Sequence, residues 1–255
     1  MNPFNLYSQY YDLLYKNKNY QMESEHVLKL IQKHLTESCS KIINLGCGTG
    51  SHDRYWLEKE IEVIGVDQSS EMLQEAARKN EKYLNQRKAR YVQSDLTILN
   101  LGETSKVVVS LFDVFSYLTT NESLDLGFSA VSKHLEKGGL FIFDAWYGPC
   151  VLTEQPIKKT RTLENEEIHV SRFTEPVLLV NENRVDVHFT IDIQDKKTGK
   201  HEIHKELHPV RYLFLPEVKN LARKYGFELL YTEGSMTGKP LGTDTFSALF
   251  ILVKS

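Results

Sequence analysis

The chain has 255 residues, of which 41% are hydrophobic and 25% are charged, and its formal net charge is −3 at pH 7. This composition is typical of a folded globular protein with a substantial core. No block of Lys and Arg indicates a nucleic-acid or anionic-membrane partner, and no apolar run approaches the ~20 residues of a membrane span. The 3 scattered cysteines indicate neither a disulfide framework nor a zinc site.

Hydrophobic periodicity predicts alternating strands and helices over the first 146 residues. Apolar residues at helical spacing in 22–35 predict an amphipathic helix before the first strand. The expected strands are 42–45, 62–66, 90–94, 106–112 and 140–146, and the expected helices are 51–59, one from Ser69 or Ser70, and 121–135 with Gly138 and Gly139 as its stop. Near-continuous apolar strands that alternate with helices predict a parallel sheet covered on both faces.

The pattern changes after Pro149. The segment VDVHFTIDI, residues 185–193, alternates apolar and polar residues, which predicts a half-buried antiparallel strand. A turn at 195–200 and a returning strand follow, with another strand expected at 167–173. A helix at 216–225 and strands at 227–232 and 245–253 complete the chain. We therefore expect one α/β domain, formed by 1–149 and 215–255, that carries an antiparallel β insert at 150–214.

A glycine-rich loop follows the first expected strand, in KIINLGCGTGSH. Its glycines, Gly46, Gly48 and Gly50, have the spacing G-x-G-x-G. The dinucleotide fingerprint G-x-G-x-x-G needs a third glycine where this chain has Ser51, and a P-loop needs a Lys that is absent here. A tight strand-to-helix turn without any ligand would use glycine too, so this motif alone leaves a structural role open.

Acidic residues follow the next two strands. Asp67 ends the second strand and Asp95 follows the third, while SLFDVFSYL ends the fourth. Ligands of open α/β sheets bind outside the carboxyl ends of the strands, and an acid after the second strand can accept hydrogen bonds from a ribose diol. Either acid alone could simply cap a helix or a turn, but their register with the glycine loop favours a shared nucleotide-type site.

These motifs resemble those of the class I S-adenosylmethionine (SAM)-dependent methyltransferases. INLGCGTGSH, VIGVDQSSEML, YVQSDL, SLFDVFSYL and GGLFIFDAWYGP match the family's successive motifs. The resemblance implies a Rossmann-like seven-stranded sheet and SAM as cofactor, with the glycine loop against its amino-acid part, Asp67 at the ribose and Asp95 at the adenine. The residues implied at the SAM site are Tyr11, Tyr20, Gly46, Cys47, Gly48, Thr49, Gly50, His52, Asp67, Gln68, Met72, Ser94, Asp95, Leu96, Leu111 and Phe112.

Features outside these motifs are similar to a small-molecule group that includes nucleotide-sugar N-methyltransferases and, more distantly, glycine/sarcosine N-methyltransferases. They are YSQYYDLLYKNKNY, WYGP, VDVHFTI and ELHPVRYLF. The similarity implies a sugar amine, nucleotide-linked, as acceptor, and it places Tyr11 beside SAM. The sugar N-dimethyltransferases have His where this chain has Tyr117, so Tyr117 either orients the acceptor or accepts its proton. For both tyrosines, aromatic packing is the alternative.

Further residues are expected to contact the acceptor. Trp146 and Tyr147 leave the fifth strand at the same rim and could stack on a sugar or base, or simply pack in the core. In the insert, which we expect to cover the acceptor, the candidates are His188, Glu206, His208 and Arg211. We expect no metal there, because HKELH is not the zinc motif HExxH.

Other functions remain open at this point. They are a small-molecule O-methyltransferase, a methyltransferase for another small amine, an NAD(P)-dependent oxidoreductase and a SAM-binding protein without catalysis. The first residues lack the basic start and apolar core of a signal peptide, so we expect a cytoplasmic protein. The expected partner is a small-molecule acceptor, with neither nucleic acid nor membrane, and the apolar faces of the insert are compatible with a homodimer.

Overall fold

The structure is a computed structural model that describes Tyr10, residues 13–15 and residues 18–255. The chain divides into two compact units. The α/β unit comprises 20–154 and 212–255, and the antiparallel unit comprises the described residues up to Asn19 together with 155–211.

The α/β unit alternates helices and strands as the apolar periodicity predicts. Its helices are α1 (Tyr20–His34), α2 (Ser51–Leu57), α3 (Ser70–Lys79), α4 (Glu81–Asn85), α5 (Asn121–His134), α6 (Gly148–Thr153) and α7 (Leu215–Lys224). Its strands are β1 (Lys41–Leu45), β2 (Glu62–Asp67), β3 (Ala89–Gln93), β4 (Ser105–Ser110), β5 (Leu135–Trp146), β10 (Phe227–Gly234) and β11 (Ser247–Lys254). Two short 3-10 turns, Leu96–Ile98 and Val114–Tyr117, follow β3 and β4.

The seven strands form one sheet in the order β10-β11-β5-β4-β1-β2-β3. Strands β1 to β5 pair in parallel, whereas β11 is antiparallel to both β5 and β10. This confirms the predicted seven-stranded, mostly parallel sheet. The order reverses between β1 and β4, the place where ligands bind in open α/β sheets, and both the glycine loop and the 114–117 turn start there.

Both faces of this sheet are buried, as near-continuous apolar strands require. Ile43, Val108 and Phe141 contribute to the core on one face, where Phe115 and Phe128 pack. Alternate residues of the same strands contribute to the core on the other face, against the helices before and after β1. The apolar strands therefore hold the carboxyl-end rim at a fixed position.

One predicted boundary in this unit was wrong. Helix α5 ends at His134, and β5 begins at once, so Gly138 and Gly139 lie inside the strand instead of ending the helix. The pairing of β4 with β5 shifts register between Ser105 and Val107, and Gly138 has φ +74°. The glycine pair therefore permits a strand irregularity, a use of glycine that resembles a helix stop in sequence.

The antiparallel unit contains a four-stranded sheet in the order β6-β7-β8-β9. Its strands are β6 (Lys159–Glu164), β7 (Ile168–Leu179), β8 (Arg184–Asp195) and β9 (His201–Arg211). Strand β8 alternates as predicted, and Val185, Val187, Ile191 and Ile193 are buried. Strand β6 was not predicted, because its sequence, KTRTLE, is mostly polar and exposed.

The unit boundaries differ from the predicted domains. The sequence prediction assigned the first residues to the α/β domain, but Tyr10 and Leu14 pack with Ile168, Val170 and Ile191 in the core of the antiparallel unit. Residues 150–154 and 212–214 instead belong to the α/β unit. Among the described residues, no helix combines the length and the hydropathy that crossing a membrane would require.

Candidate active site

The glycine loop has a backbone that its three glycines make possible, because all three have positive φ. Gly46 has φ +72°, and a side chain there would collide with Val114 of the turn after β4. Gly50 has φ +66°, and an added Cβ would lie 2.8 Å from both Asn80 Nδ2 and the Tyr91 hydroxyl. At Gly48, in contrast, an added Cβ meets no heavy atom within 4 Å. The loop is thus closely packed at Gly46 and Gly50 and open at Gly48, an arrangement that leaves room for a ligand at its middle.

Asp67, at the end of β2, is attached to this loop. Its Oδ2 accepts a 2.9 Å hydrogen bond from the backbone N–H of Gly48, and its Oδ1 accepts one of 2.9 Å from Ser69. Each carboxylate oxygen has two lone pairs, so Asp67 keeps capacity for the hydroxyls of a ligand. The structure therefore brings together the two motifs that the sequence placed at one rim.

A buried polar network supports the loop from below. Asn44 donates a 2.6 Å hydrogen bond to Asp53, while Asn80 donates to the carbonyl of Gly50 at 3.2 Å and to the Tyr91 hydroxyl at 2.8 Å. Burial raises the pKa of Asp53 to about 6, although hydrogen bonds from Asn44 and Tyr91 oppose the shift. Sequence reasoning missed this network; the polar Asn44 inside the apolar strand IINL was its one visible signal.

His52 connects the loop to α1. Its Nε2 lies 2.7 Å from Glu23 Oε2, and its ring contacts Tyr20 edge-on with the centroids 4.9 Å apart. Helix α1 therefore begins beside the loop, which places the predicted residues Tyr20 and His52 together. Cys47 is buried, which raises the pKa of its thiol well above the ordinary value and keeps it neutral.

The segment after β3 lies beside Asp67. The backbone N–H of Ser94 donates to the Asp67 carbonyl at 3.0 Å. Asp95 Oδ1 caps the following 3-10 turn by accepting 2.7 Å bonds from the backbone and the hydroxyl of Thr97. Asp95 thus has the capping role that the sequence left open, and a place at the ligand rim stays a prediction. Of the other predicted contacts, Leu96 and Met72 are half-buried and Gln68 is exposed.

The end of β4 is strained. Phe112 and Asp113 have φ values of +73° and +59°, after the buried Leu111. A bulky residue such as Phe rarely adopts this conformation, and such strain concentrates at functional sites. Asp144 Oδ1 accepts a 2.8 Å hydrogen bond from the N–H of Asp113, and Ser247 donates to Asp113 at 2.6 Å. Sequence reasoning missed Asp144 and Ser247.

The turn after β4 and the end of β5 form an aromatic rim. Tyr117 is 50% exposed, and the neighbouring Ser116 accepts a 2.9 Å hydrogen bond from the backbone N–H of Trp146. The ring of Trp146 lies 4.6 Å from that of Phe246, which is 43% exposed and was not predicted. Tyr147 is only 8% exposed and belongs to the core, so its packing alternative holds.

The predicted grouping on the antiparallel sheet was wrong in part. His208 pairs with Val187 and Glu206 with Phe189, so both lie on the apolar face, where their side chains are 2.9 Å apart. His188 and Arg211 occupy positions of the opposite face. Because side chains alternate with period two, residues of even number on β8 and on β9 need not share a face. Within the described part of the chain, no cluster of three or more His, Cys, Asp or Glu is arranged to hold a metal.

The predicted ligand contacts stay untested by this geometry. Tyr11 lies outside the described residues. That the antiparallel sheet covers the acceptor also stays a prediction.

Comparisons with known proteins fit the α/β unit and extend beyond it. Residues 42–139 match the family model described as a methyltransferase domain. The dTDP-3-amino-3,4,6-trideoxy-alpha-D-glucopyranose N,N-dimethyltransferase of Streptomyces venezuelae is 26% identical over 91% of this chain and 94% of its own.

Solved structures agree with the fold. A SAM-dependent methyltransferase from Clostridium acetobutylicum aligns over 100% of both chains with a TM-score of 0.83 and 21% identity. The amino pentose methyltransferase CalS10 from Micromonospora echinaspora, solved with SAM bound, covers 100% of this chain and 99% of its own with a TM-score of 0.77 and 20% identity.

The matched domain runs from β1 to the start of β5 and so contains the glycine loop, Asp67 and the strained end of β4. Residues 42–139 thus match a methyltransferase domain, and the chain has the fold of the solved SAM-dependent methyltransferases to which it is similar.

Proposed function

We propose that this enzyme transfers methyl groups from SAM to an amine of a nucleotide-linked sugar. The observation that carries the proposal is the extent of the similarity to the sugar N,N-dimethyltransferase, 91% of this chain, where the methyltransferase domain alone spans 42–139. Methyltransferases that act on many different acceptors share this domain. The similarity to the sugar N,N-dimethyltransferase also includes segments outside it.

On the donor side, we assign the open middle of the glycine loop to the amino-acid part of SAM. The free space beside Gly48 supports this assignment. Asp67 would accept hydrogen bonds from the ribose hydroxyls through lone pairs that Gly48 and Ser69 leave available. Ser94, Asp95 and Leu96 would line the adenine, and Tyr20 and His52 would close the loop side. Tyr11 remains a proposed contact beside the methyl group.

On the acceptor side, the exposed aromatic rim suits a sugar. Trp146 and Phe246, whose rings lie 4.6 Å apart, would stack on a sugar or base, and the hydroxyl of Tyr117, a residue that is 50% exposed, would orient the amine or accept its proton. SAM supplies a methyl group on an activated, positively charged sulfur. The protein must therefore hold a neutral amine in line with that group and exclude water.

The test is a methylation assay with the intact chain, SAM and a panel of dTDP-linked sugars. The panel contains a 3-amino sugar, a 4-amino sugar and a matched sugar with a hydroxyl in place of the amine, and mass spectrometry counts methyl-sized gains. We expect gains on an amino sugar only. Methylation of the hydroxyl sugar would favour the O-methyltransferase alternative, and no turnover of any sugar by a SAM-bound enzyme would overturn the proposal.

The finer predictions about context belong with this proposal. We propose a cytoplasmic enzyme that acts on a small molecule without a nucleic-acid partner, and a homodimer in solution. Size-exclusion chromatography with light scattering tests the homodimer directly.

A further inference from the structure

A buried carboxylate at the end of β10 takes no part in the proposed donor or acceptor contacts. Glu233 is 1% exposed, and its Oε2 accepts a 3.0 Å hydrogen bond from the hydroxyl of Tyr231. Its Oε1 lies 2.6 Å from Nε2 of His26 on α1. A buried carboxylate is costly unless it is paired, and His26 is the ion-pair partner that the described part of the chain provides. This contact therefore attaches α1 to the end of β10.

The same stretch of α1 is also attached to the start of α2. Glu23 lies one helical turn before His26, and its Oε2 is 2.7 Å from Nε2 of His52. Ser24 donates a 3.3 Å hydrogen bond to the carbonyl of His52, and the indole of Trp56 donates one of 3.3 Å to the carbonyl of Ser24. His52 lies in the first turn of α2, directly after the glycine loop. The position of α1 is thus coupled to a residue beside that loop.

Both side-chain contacts of α1 join a histidine to a glutamate, and both are largely buried. The side chains of His26 and Glu233 are 26% and 1% exposed, and those of His52 and Glu23 are 10% and 16% exposed. Hydrogen bonds to a carboxylate are short and directional, whereas the apolar contacts that bury the helix are non-directional. Two directional contacts one turn apart therefore define where the first half of α1 lies.

We propose that His26 and Glu233 are positioning residues for the SAM site. Their contact fixes the first half of α1, and α1 in turn holds His52 beside the glycine loop through Glu23. Neither His26 nor Glu233 is assigned a contact with SAM, so their effect on SAM binding is indirect. This inference rests on the donor side of the proposed function, namely the contacts of His52 and Tyr20 with SAM, and needs no assignment of the acceptor.

Calorimetric titration with SAM measures this effect without any methyl transfer. We expect His26→Ala to weaken SAM binding about three- to tenfold, and His26→Gln, whose amide N–H can replace the imidazole N–H, to bind SAM within about twofold of the parent. Because alanine is the strongest helix former and His26 is only partly buried, His26→Ala should keep the helix. Equal affinity in the parent and His26→Ala, or no recovery in His26→Gln, would overturn the proposal.

The matched control is Tyr231→Phe. It removes the other hydrogen bond to the same carboxylate and leaves the contact between Glu233 and α1 in place. Urea unfolding should show a loss of stability in both Tyr231→Phe and His26→Ala, whereas only His26→Ala should lose affinity for SAM. If the two variants lose SAM affinity alike, Glu233 acts through stability alone and the positioning role is refuted.

A double-mutant cycle tests whether the effect passes through α1. In a Glu23→Ala background the contact from α1 to His52 is already lost, so adding His26→Ala should weaken SAM binding by no more than about twofold further. Effects of the two substitutions that simply multiply would contradict the coupling. If the parent binds no SAM, the donor side of the proposed function fails and this inference fails with it. If the parent binds SAM and His26→Ala binds it equally well, only the positioning role fails.

Discussion

The carboxylate of Asp67 accepts a 2.9 Å hydrogen bond from the backbone N–H of Gly48. This bond joins the end of β2 to the middle of the glycine loop, 19 residues earlier in the chain. Because the other oxygen of Asp67 accepts from Ser69, the carboxylate both holds the loop in place and faces the proposed ribose position. The shape of the glycine loop therefore depends on the side chain to which we also assign the ribose contacts.

We predict that Asp67→Ala weakens SAM binding on the order of a hundredfold. The substitution removes the hydrogen bonds that we propose between the ribose hydroxyls and the carboxylate, each worth about 1.5–3 kcal/mol. It also removes the bond that holds the glycine loop at Gly48. Asp67→Asn, which keeps one acceptor oxygen, should lose less. Calorimetric titration with SAM measures both, and unchanged affinity in Asp67→Ala would contradict the proposed ribose contact.

The buried Asp53 should make stability depend on pH. Its folded-state pKa is raised to about 6, above an ordinary value near 3.9, so the folded protein holds a proton that the unfolded chain releases between these values. The stabilising contribution of Asp53 to the free energy of unfolding is therefore fully present below about pH 4. It falls by up to about 3 kcal/mol as the pH rises through about 6.

The variant Asp53→Asn should escape this loss, since an amide stays neutral and keeps an oxygen for Asn44. We expect it to be more stable than the parent at pH 8 by about 1–3 kcal/mol, and no more stable at pH 4. Urea unfolding at both pH values provides the comparison. A stability difference that does not change with pH would show that Asp53 ionises normally.

Asp144 should be needed to hold the strained turn after β4. It is buried, and it accepts from the N–H of Asp113 and the hydroxyl of Ser235. Asp144→Ala leaves both donors unpaired, so we predict a loss of about 1–3 kcal/mol in the free energy of unfolding and a fall in kcat, because the turn carries Tyr117. Ser235→Ala is the control, with a smaller loss and kcat near that of the parent. Equal kcat in the parent and Asp144→Ala would argue against a positioning role.

Substitutions in the aromatic rim should weaken binding of the acceptor and leave binding of SAM unchanged. We predict that Phe246→Ala raises the KM for the amino sugar about three- to tenfold, the range of one lost aromatic contact, and leaves the affinity for SAM unchanged. Phe173→Ala is a matched control, since Phe173 is 40% exposed on the antiparallel sheet and Phe246 is 43% exposed. A change in SAM affinity alone would place Phe246 at the donor instead.

The sequence predicted the parts of the site that follow from strand ends. The apolar run before Gly46 and the one before Asp67 are adjacent parallel strands, and their carboxyl ends meet for that reason. The hydrogen bond from Ser247 to Asp113 could not be predicted. The two residues are 134 positions apart, and no sequence pattern links them. The prediction that His188 and Glu206 share a face of the antiparallel sheet was wrong. The face on which a residue of β9 lies relative to β8 depends on the pairing register across the 195–200 turn, and the alternation within each strand does not fix that register.

The most direct measurement is a calorimetric titration of the intact chain with SAM and, separately, with NAD. The account predicts saturable binding of SAM that Asp67→Ala strongly weakens, and no binding of NAD, whose pyrophosphate the loop spacing does not match. Binding of NAD in place of SAM, or SAM binding that does not involve Asp67, would contradict the donor site described for this sheet.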